Sequence, residues 1–130
     1  MNPLRNQIAG MLTIQRRDGG FTADLVVDEK LPVFPDHFPD QPILPGICLV
    51  QAVLHAAAVY QGAADMRIRL LKNLKFMQPV RPGQTVNVDA QISPLPDGDF
   101  AIKARLSVED RRCAEVSLVA SAENAPGGRG

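Results

Sequence analysis

Hydrophobic and polar residues alternate with a period of two through most of this chain, and the rhythm breaks once, over a long apolar run near its middle. Leu12 and Ile14 alternate with polar neighbours, Asp18-Gly19-Gly20 supplies a turn, and Ala23, Leu25 and Val27 resume the period, which predicts a β-hairpin. Met66, Ile68 and Leu70 alternate next, followed by Leu74 and Phe76. After Pro82-Gly83 come Val86, Val88, Ala90 and Ile92, set against Asn87, Asp89 and Gln91. Pro96-Asp97-Gly98 turns the chain into Phe100, Ile102, Ala104, Leu106 and Val108, and Asp110-Arg111-Arg112 turns it into Ala114, Val116, Leu118 and Ala120. Such segments are meander strands with one dry face and one wet face.

The apolar run from Gly46 to about Gly62 reads as a helix, with Pro45 suited to its start and Gly62 to its C-terminal cap. Apolar residues cover every face of it, which predicts a helix buried on all sides. Its only polar interior positions, Gln51 and His55, are four apart and share a face. Before it, Pro32, Pro35, Pro39, Pro42 and Pro45 recur every three or four residues, and each fixes its own φ and pushes its predecessor towards extended geometry. That segment is expected to be a stiff irregular loop, and its Val33, Phe34, Phe38, Ile43 and Leu44 suit the wall of a site better than a spacer. One long helix and five or six antiparallel strands pack most economically with the sheet's dry face wrapped around the helix, an α+β architecture.

With 130 residues the chain is expected to form a single domain over 1–124, with a disordered Gly-rich tail at 125–130. Fourteen basic residues balance fourteen acidic ones, which argues against a general nucleic-acid binder. Cys48 and Cys113 are too few for a disulfide scaffold, and with His37 and His55 the only histidines there is no spacing of a structural zinc site. The longest apolar stretch, Ile47 to Tyr60, is too short to span a bilayer, and Met1 to Gly10 lacks a basic-then-apolar signal pattern. These features predict a reduced, cytoplasmic protein with no membrane association. Zero net charge favours association, so an oligomer is expected.

The segment His37-Phe38-Pro39-Asp40-Gln41-Pro42-Ile43-Leu44-Pro45-Gly46 and the helix after it resemble the signature of the hotdog-fold β-hydroxyacyl-(acyl-carrier-protein) dehydratases. That signature runs His-Phe-Pro-Gly, two or three residues, Pro-Gly, and then a helix with an acid five residues past the glycine. Asn73-Leu74-Lys75-Phe76-Met77-Gln78-Pro79-Val80-Arg81-Pro82-Gly83-Gln84 resembles the same family's later strand and turn, so the likeness spans roughly residues 11 to 122. It implies a hotdog fold and a homodimer, or an oligomer of dimers, whose subunits share each active-site tunnel. The implied substrate is an acyl thioester on the phosphopantetheine of an acyl carrier protein or on coenzyme A, with no further cofactor and no metal.

Carried over by position, His37 falls on the family's catalytic histidine and Gly46 on the glycine whose N–H binds the thioester carbonyl. Gln51 falls on the catalytic Glu or Asp, the main departure, and Asp40 stands where the family usually has glycine. Pro45, Phe38 and His55 complete the expected substrate-binding set. Dehydrating a 3-hydroxyacyl thioester needs a base for the α-proton, an acid for the departing hydroxyl and a donor for the enolate-like charge. His37 suits the first role and the Gly46 amide the third. A Gln amide cannot give a proton, so Gln51 is either an orienter of substrate or water or a satisfied buried amide. His55, Asp36 and Asp40 are alternative acids, and equally a core histidine and loop carboxylates. Arg67, Arg69, Lys72, Lys75 and Arg81 lie between Met66 and Gly83 with no acid among them, a patch suited to an acidic carrier protein or to phosphates, or a solvated strand face. Three activities follow: a 3-hydroxyacyl-carrier-protein dehydratase in fatty-acid-like or polyketide-like synthesis, a non-catalytic acyl-binding or accessory subunit, or an acyl-thioester hydrolase. Cys48 and Cys113 read as small core residues.

Overall fold

The computed structural model describes residues 8–30 and 43–123. Its strands are β1 (Leu12–Arg17), β2 (Gly20–Val26), β3 (Asp65–Phe76), β4 (Thr85–Pro94), β5 (Phe100–Val108) and β6 (Arg111–Glu123), and its long helix is α1 (Gly46–Gln61). All six strands form one antiparallel sheet in the order β1-β2-β4-β5-β6-β3. The predicted hairpin forms with Leu12 opposite Leu25 and Arg17 opposite Gly20, its turn carried by Asp18 and a Gly19 at φ 76°. A left-handed residue at that place is what a tight hairpin turn requires.

Alternation places Phe21, Ala23 and Leu25 of β2, Val86, Val88 and Ala90 of β4, Ile102, Ala104 and Leu106 of β5, and Ala114, Val116 and Leu118 of β6 in the core. Their sheet face packs against Cys48, Leu49, Ala52, Val53, Ala56 and Ala57 of α1, and the run of small residues lets helix and sheet approach closely. The helix starts after Pro45 and ends at Gly62, whose φ of 70° and ψ of 24° let its N–H and that of Ala63 reach the Val59 and Ala58 carbonyls. Arg16 of β1 adds a cation there: its Nη1 donates to the Tyr60 carbonyl at 2.8 Å and its guanidinium lies 4.3 Å from the centre of the Tyr60 ring.

Two expectations are corrected. The helix is not buried on every side: Ile47 is 57% and Val59 50% exposed. Ile47, Gln51, His55 and Val59 are spaced by four and form one row, with Gln51 and His55 half-buried between the exposed ends. The polar pair Gln51 and His55 marks this row in the sequence, but the apolar Ile47 and Val59 beside them hide that it is left uncovered. Second, the alternation of β3 does not hold. Its pairing with β6 slips between Ile68 and Leu70 and again between Leu71 and Asn73, leaving Arg69 and Lys72 as extra residues at bulges. On this edge strand only Met66 is buried, while Ile68, Leu70, Leu71 and Phe76 are exposed apolar residues.

Candidate functional site

The site grows from the N-terminus of α1. Pro45 is its N-cap, at φ −59° and ψ 142°, with no side-chain capping bond and no acidic residue in the first turn. Cys48 N–H donates to the Pro45 carbonyl at 2.9 Å, whereas the Gly46 and Ile47 N–H groups have no partner among the described residues. The first amides of a helix lack internal acceptors, and the aligned peptide dipoles add positive potential at that end. The Leu44 N–H bonds the Val80 carbonyl at 2.7 Å, tying the approach to the helix onto the segment between β3 and β4. Between them opens a cleft of about 270 Å³, lined by Leu44, Gly46 and Leu49 on one side and Phe76, Met77 and Val80 on the other, together with Ile43, Gln78 and Pro79. Unpaired amides beside an apolar wall can hold a carbonyl oxygen in surroundings that strengthen the bond.

Gly46 is a glycine for a reason absent from the sequence reading. A Cβ built on it would lie 2.5 Å from the ζ carbon of the Phe76 ring, so the ring occupies the place of a side chain. Sequence reasoning had Phe76 as an ordinary strand residue and missed its place in the site. Its presence in the Asn73–Gln84 motif was the only signal, because its contact lies 30 positions away.

Gln51 is half-buried, and its Oε1 is a buried acceptor without a hydrogen-bond partner among the described residues. An orphaned buried acceptor is costly and calls for a donor. His55 follows one turn on, also half-buried. His37 and Phe38, like Asp36, Asp40 and the tail at 125–130, lie outside the described residues. The structure therefore places Pro45 at the cap of α1 and Gly46, Gln51 and His55 along it; of these only Gly46 lines the cleft, joined there by Leu49, Phe76, Met77 and Val80.

Cys48 and Cys113 are fully buried. Burial pushes the Cys48 thiol up from 9.0 to about 11 and raises Cys113 as well, against a smaller opposing effect of a backbone hydrogen bond. Thiols so raised stay protonated at neutral pH and are poor nucleophiles. The shift has a consequence for stability. Below pH 9 both folded and unfolded chains keep the Cys48 proton; between 9 and 11 the unfolded chain loses it first, so stability falls, by about 2–3 kcal/mol across that interval. Urea unfolding of the wild type and of Cys48→Ala at pH 8, 9, 10 and 11 checks this: the variant should have the shallower alkaline decline.

The basic patch is smaller than its sequence implied. Glu123 of β6 pairs with Arg67 at 2.7 Å and Asp99 approaches Arg69 at 3.9 Å, so acids from elsewhere in the chain answer two of its five cations. Lys72, Lys75 and Arg81 remain exposed, and Arg81 directly follows Val80 of the cleft. A larger hollow of about 360 Å³ lies on the opposite face of the sheet, lined by Arg17, Asp89, Lys103, Arg105 and Glu115 among others. Apart from Ala104 and Val116 its walls are charged or polar and suit an acyl chain poorly.

No helix among the described residues is long and apolar enough to cross a membrane. The 3-hydroxyacyl-[acyl-carrier-protein] dehydratase FabZ of Wolbachia sp. subsp. Drosophila simulans (strain wRi) is 29% identical over 99 residues, covering 72% of this chain and 69% of the relative. The protein of the same name from Cupriavidus necator is 26% identical over 102 residues, covering 72% and 68%. Among solved structures, the dehydratase heterocomplex ApeI:P from Xenorhabdus doucetiae superposes with a TM-score of 0.69 at 21% identity, covering 84% of this chain and 94% of that one. The PaaI protein from the phenylacetic acid degradation operon of E. coli gives 0.67 at 15% identity, covering 90% and 88%. At such identities the likeness shows the fold, and the sheet around a single long helix is the hotdog fold. The family model described as ApeI-like, ApeI dehydratase, matches residues 13–116, and the chain therefore belongs to the ApeI-like dehydratase family.

Proposed function

We propose that this protein removes water from a 3-hydroxyacyl thioester to give the 2-enoyl thioester. The observation that carries the reading is the Gly46 amide, without a partner among the described residues, at the edge of an apolar cleft and at the start of the helix that also carries the buried Oε1 of Gln51. The thioester carbonyl accepts from the Gly46 N–H, which stabilises the negative charge that builds on its oxygen. His37, assigned on its motif, takes the proton from C2; the C2–C3 double bond forms as the C3–O bond breaks. The imidazolium then returns that proton to the departing hydroxyl, which leaves as water. Gln51 accepts a hydrogen bond from the 3-hydroxyl through Oε1 and so orients the leaving group without supplying a proton.

In this reading the acyl group arrives on the phosphopantetheine of an acyl carrier protein or on coenzyme A in the cytoplasm, with Lys72, Lys75 and Arg81 meeting the acidic carrier or the phosphates. A second copy covers the open row of α1 and the apolar edge strand β3, since a surface carrying Ile47, Val59, Ile68, Leu70 and Leu71 is costly to leave in water. The test is the full chain with a 3-hydroxyacyl-pantetheine thioester, followed by the ultraviolet absorbance of the enoyl thioester. Wild type should turn over, and His37→Ala should lose about 10²–10⁴-fold. Absence of turnover with retained binding of the thioester would favour the accessory acyl-binding reading, which the missing acid at Gln51 supports. Release of free thiol would instead indicate hydrolysis.

A further inference from the structure

We infer that Phe76 determines which acyl groups this site accepts, by limiting bulk at C2 of the substrate; the inference rests on the dehydratase reading above. Phe76 ends β3, faces Ala114 across the sheet and is 49% exposed. Its backbone is fixed on both counts: β3 pairs with β6 up to this residue, and the next N–H, that of Met77, donates to the Cys113 carbonyl at 2.8 Å. Its ring packs against Gly46, where it stands in the space of a side chain, and it lines the same cleft as Leu49 and Val80.

Distances decide what the ring must touch. A Cα–Cβ bond of about 1.5 Å and the 2.5 Å gap to the ring place the ring's ζ carbon no more than about 4 Å from the Gly46 Cα. A carbonyl oxygen about 2.9 Å from the Gly46 nitrogen puts the thioester carbon about 4 Å from that nitrogen. Ring and carbonyl carbon therefore flank the same short stretch of backbone, and we take the acyl side of the carbonyl, not its sulfur, to face the ring. An unbranched chain fits beside a flat wall; a methyl branch at C2 meets it. One methyl group in an apolar site is worth about 10–200-fold in discrimination.

The experiment compares kcat/KM for unbranched and 2-methyl 3-hydroxyacyl-pantetheine thioesters in wild type, Phe76→Leu and Phe76→Ala, with the melting temperature of each variant recorded. Wild type should favour the unbranched substrate, and Phe76→Ala should narrow that preference by about tenfold or more, mainly through KM, with Phe76→Leu between them. A merely structural role would lower both rates by one common factor. An unchanged ratio in variants that fold, while wild type is active, overturns this inference alone. Wild type that neither binds nor turns over either thioester overturns the dehydratase reading and this inference with it.

Discussion

Gln51→Glu should raise the rate of dehydration by about 10²–10⁴-fold, the contribution of a positioned general acid. Glutamate has the shape of glutamine, so it fits the half-buried position on α1 without repacking. A carboxyl there is partly removed from water, which raises its pKa and keeps the acidic proton available near neutrality. The proton then reaches the departing hydroxyl from its own donor, instead of waiting for the imidazolium of His37 to serve both steps. The rate of the variant should fall at alkaline pH as the carboxyl ionises, a limb that wild type lacks because an amide does not titrate. Enoyl-thioester formation followed across pH 5 to 9 for both proteins measures this. If both are equally inert while each still binds the thioester, the site is not a dehydratase awaiting its acid, and the acyl-binding reading takes over.

What could be read in the sequence and what could not divide along local and non-local causes. The strands β4, β5 and β6 were legible because one face is buried along their whole length, so a strict period of two survives in Val86 to Ile92, Ile102 to Leu106 and Ala114 to Ala120. Pro45 and Gly62 marked the helix because each acts through its own backbone angles. The bulges of β3 were not legible: an edge strand bends to suit its one partner, and nothing local distinguishes Arg69 from its neighbours. Nor was the exposure of Ile47 and Val59 on α1, because an apolar side chain reads the same whether the sheet or another surface covers it. In the site, Gly46 and Gln51 followed from the motif, but the meaning of Gly46 depended on a ring 30 residues away. The pairing of two of the patch's five cations depended on Asp99 and Glu123.

Gly46→Ala should destabilise the fold by about 1–3 kcal/mol, the usual cost of forcing an extra methyl group into a packed contact. At the first position of a helix alanine is otherwise the better residue, so local propensity alone predicts the opposite sign. The loss arises because the new Cβ would sit 2.5 Å from the Phe76 ring, so the ring must turn away from Gly46 and give up its packing there, although its backbone stays paired to β6. The two explanations of this glycine separate in the double variant. If the ring is what forbids a side chain, Phe76→Ala makes room, and Gly46→Ala should cost almost nothing in that background, giving a coupling energy of about 1–3 kcal/mol in a double-mutant cycle of urea unfolding. Phe76→Ala by itself should cost less than the removal of a fully buried phenylalanine, because half of its side chain already meets water. Dehydration should not return with stability: the double variant lacks the ring that bounds the cleft, and the alanine methyl stands beside the amide that the carbonyl must reach. A double variant as unstable as the sum of its parts would show that the glycine answers to something other than Phe76.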